Sequence, residues 1–358
     1  MSTGRLFKVI EDDKVNPLPR TQIVKAEPIK KEPKKETKTK KVVKKETPEL
    51  VITKSPLNRD FELKAIEFIN SINPNYTINE DGFLYFEDKH LAISFNEKYE
   101  SSNLYKSKDY FDRVHILYEE KGIRLMILFD WQIEHKDSWE KMKMLLITAI
   151  GHPKRIMSRK CDVRQITDEE ARPINEQFHT MGHRKAKISY GLFYNDKLVE
   201  IMSFGNNKWN RNIQNSNSWE IIRGCMGSLN VSQLDDDPNS LYFVSGGPSR
   251  LLKHFIRDYD PDIVFSYCES GLFSGSSYVA AGMHFAGRTP GTKFWLVNEV
   301  DEETGKMGVI IPRNPSRYKE LKERSNGQVI WTPGSSRYVW IKDGVEYQGH
   351  GKEFIDND

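Results

Sequence analysis

The stretch Leu241–Cys268 constrains the fold more than any other part of the chain, because strand, turn, helix and strand signals follow one another in it. Leu241–Val244 is a short apolar run that favours a strand, and Gly246 and Gly247 allow a tight turn. Asp262–Tyr267 has the composition of a second strand. The helix between them presents one apolar face, formed by Leu251, Leu252, Phe255, Ile256 and Tyr259. The pattern predicts a βαβ unit with two parallel strands side by side.

The glycine turn of this unit is a candidate anion-binding site. Backbone N–H groups at the start of a helix point outward and attract negative charge. The residues at this position are Gly246, Gly247, Ser249 and Arg250. The alternative is that Gly-Gly-Pro-Ser only begins a helix and binds nothing.

Length and composition indicate a globular protein of two domains with a tail. The chain has 358 residues, and a single core rarely grows beyond about 250–300 residues. No apolar run approaches the roughly 20 residues that cross a bilayer, so no membrane association is expected. Cys161, Cys225 and Cys268 form no CxxC pair, and the N-terminal residues contain no continuous apolar segment. These features predict a cytoplasmic protein without a structural metal.

The N-terminal residues carry much of the positive charge. Lys25–Lys45 contains ten lysines and three glutamates, with few apolar residues to bury. Such a segment cannot offset the entropy cost of ordering, so 1–55 is predicted to be a disordered tail. Flexible lysines attract the DNA backbone through counterion release. A solubilising linker and an arm that docks on another protein are the alternatives.

The segment 56–152 has the element order helix, hairpin, helix, strand, helix. Ile123–Phe129 is almost entirely apolar and predicts a central strand that is buried on both faces. Phe83–Phe86 and Leu91–Phe95 predict a hairpin, and the last helix is predicted to end at Gly151.

Three motifs stand out in this segment and just after it: LAISFNEKY, EEKGIRLMILF and PKRIMSRKCDVRQI. They resemble the free-standing homing endonucleases of phages whose nuclease domain is of the very-short-patch-repair type, and the resemblance extends over roughly residues 58–345. It implies a restriction-endonuclease-like fold for 56–152, and a nuclease of this class needs carboxylates that hold a divalent cation against the phosphate. The chain departs from the family at several of the implied catalytic positions, which are Phe83, Ser94, Ser101 and Phe111. Glu62 alone matches an acidic position, so the nuclease centre is predicted to be degenerate and to bind no metal.

A rearranged nuclease is the alternative to a lost one. Asp81, Glu87 and Asp88 lie near the hairpin and would have to supply the carboxylates. An active enzyme of this kind would require Mg²⁺.

The segment 166–300 places strand pairs first, beginning with a hairpin predicted around the turn pair Asn195–Asp196, and βα elements later. This order, with the glycine turn followed by Tyr278 and Gly282, resembles the N-acetyltransferase fold. In transferases of that fold the glycine turn holds the pyrophosphate of coenzyme A. Here the usual preceding Arg or Gln is missing, and Pro248 removes one N–H donor. The homing-endonuclease relatives carry a GGxSKLL turn in this same domain, so the match points to them first.

Several basic and aromatic residues are candidate DNA contacts. A basic link, 153–165, joins the two domains, and an extension, 301–358, interleaves cations with aromatic side chains. The candidates are Lys154, Arg155, Arg159, Lys160, Trp209, Arg211, Arg313, Arg317, Lys319 and Arg337. A solvated helix followed by a packed edge hairpin is the alternative for the extension.

The sequence therefore predicts an α+β or α/β protein with a degenerate restriction-endonuclease-like domain, an N-acetyltransferase-like mixed-sheet domain and a disordered basic tail. The function expected from these features is binding of double-stranded DNA in a phage or mobile-element context, without a cofactor. The alternatives are an active metal-dependent endonuclease, a coenzyme A-dependent acyltransferase, and a virion structural or assembly protein.

Overall fold

A computed structural model of the chain describes residues 57–97, 110–206, 217–225, 242–289, 291–300, 302, 305, 307–312 and 315–345. By its contacts the chain divides into Met1–Pro48 and Glu49–Asp358, and all the described residues belong to the second unit. They form a mixed α+β structure with several sheets. The predicted disordered tail lies outside the described residues.

The helices among these residues are α1 (Asp60–Ile72), α2 (Tyr110–Glu120), α3 (Asp130–Glu134), α4 (Lys136–Ile150), α5 (Asp168–Phe178), α6 (Gly247–Tyr259), α7 (Ser276–Ala280) and α8 (Tyr318–Arg324). The strands are β1 (Thr77–Ile78), β2 (Leu84–Phe86), β3 (Leu91–Asn96), β4 (Arg124–Phe129), β5 (Lys154–Met157), β6 (Asp162–Ile166), β7 (Ile188–Tyr194), β8 (Lys197–Gly205), β9 (Ser218–Cys225), β10 (Tyr242–Ser245), β11 (Ile263–Glu269), β12 (His284–Arg288), β13 (Thr292–Val300), β14 (Met307–Pro312), β15 (Val329–Thr332) and β16 (Ser335–Ile341). None of the described helices is long and apolar enough to cross a membrane.

Strands β1 to β4 form the first sheet in sequence order, with β3 and β4 parallel. Helices α1 and α4 pack on one face of the sheet, and α2 packs on the other. This arrangement explains the apolar run in β4, since a strand covered on both faces has no solvent side. The predicted central strand, the hairpin before it and the helix ending at Gly151 are all confirmed.

A seven-stranded sheet forms the centre of the later part of the chain, in the order β12-β16-β11-β9-β8-β7-β6. Neighbouring strands are antiparallel except β9 and β11. Helix α6 packs on one face through Leu251, Leu252 and Phe255, and α5 packs on the other through Ala171 and Ile174. The ring of Phe255 stacks on that of Phe204 in β8 with centroids 3.8 Å apart. The β7–β8 hairpin turns at Asn195 and Asp196, both with positive φ, as the turn pair predicts.

The βαβ prediction for 241–268 requires a correction. Its helix and both strands are present, but the strands do not pair with each other. Strand β10 instead pairs in parallel with β5 in a separate two-stranded sheet, and β11 takes its parallel partner from β9. The two strands do not pair because both edges of β11 are occupied in the main sheet, one by β9 and the other by β16.

The segments predicted as a basic link and a C-terminal extension contain regular secondary structure. The link 153–165 contains β5 and β6. Their buried residues Ile156 and Ile166 stand among exposed polar and charged residues, so neither strand shows an apolar run in the sequence. The extension 301–358 contains β14, α8, β15 and β16. Strand β16 lies between β11 and β12 inside the main sheet, so it is a central element.

The first sheet and the main sheet are joined by direct contacts. In β4, the N–H of Ile127 donates to the carbonyl of Gly271 at 2.7 Å, and Arg124 Nη2 donates to that of Leu272 at 2.6 Å. The N–H of Gly334 donates to Asp112 Oδ1 at 2.7 Å. The boundary predicted near residue 152 stays a sequence prediction. Residues of 110–152 form hydrogen bonds with Gly271, Leu272 and Gly334 of the later part of the chain.

Candidate functional site

The implied nuclease positions are occupied by groups that serve packing. Ser94 is buried in β3 and accepts a hydrogen bond from Asn96 Nδ2 at 3.3 Å. The ring of Phe83 lies 5.5 Å from that of Tyr118, and Phe111 packs edge-on against Phe129 at 5.1 Å. Ser101 lies outside the described residues. The structure thus brings Phe83 and Phe111 into the apolar layer under α2.

Glu62 is fully buried in the first turn of α1, where its partner is a cation of the chain itself. Arg59 Nη2 lies 2.5 Å from Glu62 Oε1, and the N–H of Arg59 donates to Oε2 at 3.0 Å. The same guanidinium donates to the carbonyl of Phe95 at 3.4 Å and lies 3.7 Å from Glu97 Oε1. Among the described residues no group of three or more His, Cys, Asp or Glu side chains is arranged to hold a metal ion.

We expect the purified protein not to cut or nick duplex DNA in Mg²⁺ or in EDTA. Hydrolysis by this class needs a cation that offsets phosphate charge and activates water, and serine at 94 is a weak ligand. Conversion of supercoiled plasmid to open circles measures the activity. Magnesium-dependent nicking that disappears on Asp81→Ala, Glu87→Ala or Asp88→Ala would instead establish a rearranged centre. In this structure the hydroxyl group of Tyr118 donates a hydrogen bond of 2.5 Å to Asp81 Oδ2.

The glycine turn does begin a helix in the manner that an anion site requires. Gly246 precedes α6 with φ of 77°, a left-handed conformation that glycine adopts without strain, and it is exposed. Pro248 occupies the first turn and supplies no N–H donor. The remaining orphan N–H groups and the helix dipole give this end a partial positive charge.

A cleft of about 440 Å³ opens beside this helix start. Ser158, Gly246 and Ser249 line one part of it. The rest is lined by basic residues of α6 at intervals of three and four, which place them on one helix face. These residues are Arg250, Lys253, His254 and Arg257.

The pairing of β10 with β5 brings the predicted basic segment to the same place. Tyr242 lies opposite Lys154 and Phe243 opposite Arg155 in the parallel register. Arg250 Nη1 donates to the carbonyl of Ser158 at 2.6 Å, which fixes the segment after β5 against α6. Two candidates that are about 90 residues apart in the sequence therefore form one surface. We call it the basic cleft, defined by residues 154–160 and 246–257.

Charges within the basic cleft influence one another. His254 Nδ1 lies 2.9 Å from Arg257 Nη2. Partial burial and then the neighbouring Arg257 lower the pKa of His254. Arg257 also pairs with Asp258, from Nε to Oδ1 at 2.8 Å. Arg159 and Lys253 are exposed and form no ion pair within the described part of the chain.

A buried acid lies under the cleft, and the sequence analysis did not single it out. Glu200 of β8 is 1% exposed, and its Oε2 has no hydrogen-bond partner in the described structure. Its carboxyl group occupies the space where a side chain at Gly247 would begin, so any Cβ there would overlap it. Burial raises the pKa of Glu200 well above its usual value. The sequence signal for this residue is a glutamate inside the apolar run LVEIMSF.

The other predicted DNA contacts lie elsewhere in the sheet system or outside the described residues. Arg317 forms an ion pair with Glu320 at 2.6 Å, and Lys319 is exposed on α8. Arg337 lies in the central strand β16 and donates to the carbonyl of Ala286 at 2.8 Å. Trp209, Arg211 and Arg313 are among the residues that the structure does not describe.

No protein-family model matches the chain, and no curated protein matches it. An IAA acetyltransferase from Bacillus cereus is a similar solved structure, 12% identical with a TM-score of 0.31, and the match covers 51% of this chain and 99% of that chain. N-acetylglutamate synthase from Neisseria gonorrhoeae, complexed with coenzyme A and N-acetyl-glutamate, is 16% identical with a TM-score of 0.24, over 70% of this chain and 51% of that chain. A Drosophila melanogaster polyamine N-acetyltransferase is 12% identical with a TM-score of 0.24, over 51% and 100% of the two chains. These TM-scores are too low to support an argument about function.

Proposed function

We propose that the protein binds double-stranded DNA through the basic cleft. The observation that carries the proposal is the joining of two separate basic segments, 154–160 and 246–257, by the β5–β10 pairing and the Arg250 to Ser158 hydrogen bond. DNA-binding proteins position themselves mainly through phosphate contacts from lysine, arginine and helix N-termini. The cleft combines all three kinds of group.

The spacing of the cations fits a phosphate backbone. From Arg250 to Arg257 the helix rises about 10 Å, because each residue adds about 1.5 Å. Successive phosphates of one DNA strand advance about 3.4 Å along the duplex axis, so a helix face aligned with that strand is long enough to span more than one of them. Exposed Lys154, Arg155, Arg159 and Lys160 extend the positive surface beyond the helix. Contacts of this kind read charge and position, and they carry no sequence preference by themselves.

The biological context in the proposal comes from the sequence motifs. The chain resembles phage homing endonucleases, and we propose that it derives from such a protein, with a restriction-endonuclease-like part whose catalytic centre is degenerate and an N-acetyltransferase-like part. The lysines of the N-terminal segment would add counterion release to the affinity. Docking of that segment on a phage protein, in the host cytoplasm or in a virion, is the alternative role for it.

Acyl transfer from coenzyme A is a second candidate function. The observation that favours it is the exposed, left-handed Gly246 at the start of a helix beside a cleft, which suits the phosphate groups of a coenzyme as well as those of DNA. In this case the nuclease-like part would serve another purpose.

The test compares two pairs of charge removals. Arg159→Gln with Lys253→Gln removes two unpaired cations from the cleft, and Lys136→Gln with Lys185→Gln removes two exposed lysines elsewhere as the matched control. Fluorescence anisotropy with a short labelled duplex, between about 50 and 200 mM salt, measures affinity and its salt dependence. We expect the cleft variant to bind more weakly, and its slope of log affinity against log salt concentration to become shallower by about two. The control should keep most of its affinity.

Equal binding by the cleft variant and the control would contradict the proposal. Thermal stabilisation by coenzyme A that saturates, and that the cleft variant loses, would favour the transferase. The two functions are therefore separated by the same pair of proteins.

A further inference from the structure

The carboxyl group of Glu200 and a bound phosphate would use the same helix end. Glu200 touches the first residue of α6, Gly247, from the sheet side, whereas the basic cleft opens at Gly246 and Ser249 on the solvent side. The partial positive charge of a helix N-terminus is confined to its first turn. A negative charge on one side of that turn therefore reduces the electrostatic stabilisation that the helix N-terminus gives to a negative charge on the other side.

We propose that a phosphate group binds in the basic cleft only when Glu200 carries a proton, so that binding and ionisation of Glu200 exclude each other. The inference rests on the proposed DNA-binding function and adds its regulation. It follows from the contact with Gly247, from the burial of Glu200 and from the unpaired Oε2, which leave no neighbouring donor to neutralise the ionised carboxylate.

The other titratable and charged groups around Glu200 do not supply that neutralisation. Cys161, which follows the turn after β5, and Cys225 of β9 lie near enough to interact with it electrostatically, and burial raises the pKa of both thiols, that of Cys225 to about 12. Arg250 of α6 is directed to the carbonyl of Ser158. On β7, the residue opposite Glu200 is Leu192, which is apolar.

The sign of the pH effect follows from these contacts. Burial raises the pKa of Glu200 in the free protein, and a phosphate on the other side of the helix turn raises it further. Binding therefore takes up a proton, and affinity falls as pH rises through the free-protein pKa. The steepest loss is about tenfold per pH unit, the limit for one linked proton.

The titration of His254 must be eliminated, because His254 lines the cleft and its protonation would also make the DNA affinity fall as pH rises. The experiment therefore uses His254→Gln as the background. In that background we compare Glu200 with Glu200→Gln, which keeps the shape of the side chain but cannot ionise. Glu169→Gln, an exposed glutamate on α5, is the matched control.

Duplex affinity is measured by anisotropy from about pH 5 to about pH 9, a range that begins above the ordinary pKa of a glutamate. We expect the background protein and the Glu169→Gln control to lose at least about tenfold in affinity, and the Glu200→Gln variant to keep a flat profile. Parallel profiles for all three proteins would overturn the inference while leaving DNA binding intact. If none of the three proteins binds duplex DNA at any pH, the proposed function itself is refuted.

A second measurement does not depend on the folding of the Glu200→Gln variant. Calorimetry of duplex binding by the His254→Gln protein, in buffers of different ionisation enthalpy, counts the protons taken up. Uptake of a fraction of a proton that rises and then falls with pH is expected. Binding without proton uptake at any pH would overturn the inference.

Discussion

Gly247→Ala is expected to destabilise the protein by roughly 3 kcal/mol, at the upper end of the cost of overpacking a core. The added methyl group would overlap the carboxyl group of Glu200, which is 1% exposed and has little space to retreat. The backbone of Gly247 itself requires no positive φ, so the cost arises from the contact. Urea denaturation with the full chain measures the loss, together with the melting temperature.

The contact can be isolated with a double substitution. Glu200→Ala removes the carboxyl group and makes space for the methyl, so Gly247→Ala with Glu200→Ala is expected to be more stable than Gly247→Ala alone. Gly246→Ala is the comparison, because its cost comes from its φ of 77° and Glu200→Ala should not relieve it. Simple additivity of the Gly247 and Glu200 effects would show that the two residues do not meet.

The second large effect is expected at Glu62. Glu62→Ala should cost about 3 kcal/mol, because it leaves the largely buried Arg59 guanidinium without its main partner. Glu67→Gln, an exposed position on the same helix, is the control and should change stability by less than about 0.5 kcal/mol. Chemical denaturation of the two variants and the parent measures both values.

This substitution also decides between two roles for Glu62. A structural role predicts a large loss of stability whatever metal is present. Unchanged stability, combined with the loss of a magnesium-dependent cleavage activity, would assign Glu62 to a catalytic centre instead.

Local signals predicted many of the elements in the described residues. The apolar run of β4, the turn pair Asn195–Asp196 and the apolar face of α6 each depend on neighbouring residues alone, and each prediction is confirmed. Helix α5 was missed, although Thr167 and Glu170 form a capping box at its start that the sequence displays.

Pairings between distant segments could not be predicted in the same way. Strand β10 pairs with β5 because the tertiary arrangement brings the two together, and nothing within 241–268 indicates this pairing. The basic cleft depends on this pairing, so sequence analysis found its two halves as separate candidates. The contact between Glu200 and Gly247 was missed for the same reason, since only the packing of α6 on β8 brings them together.

The position of β16 sets an order on the assembly of the main sheet. Ser335–Ile341 lies between β11 and β12, both of which precede it in the chain, and it pairs with both in antiparallel register. Until residue 341 has left the ribosome, β11 lacks one of its two neighbours and β12 has no partner in this sheet, so both can pair with another chain. The nascent protein must therefore protect an open sheet while more than 40 further residues are synthesised after β12. Slower synthesis during that interval is therefore expected to lower the yield of native protein, and chaperone access is expected to raise it.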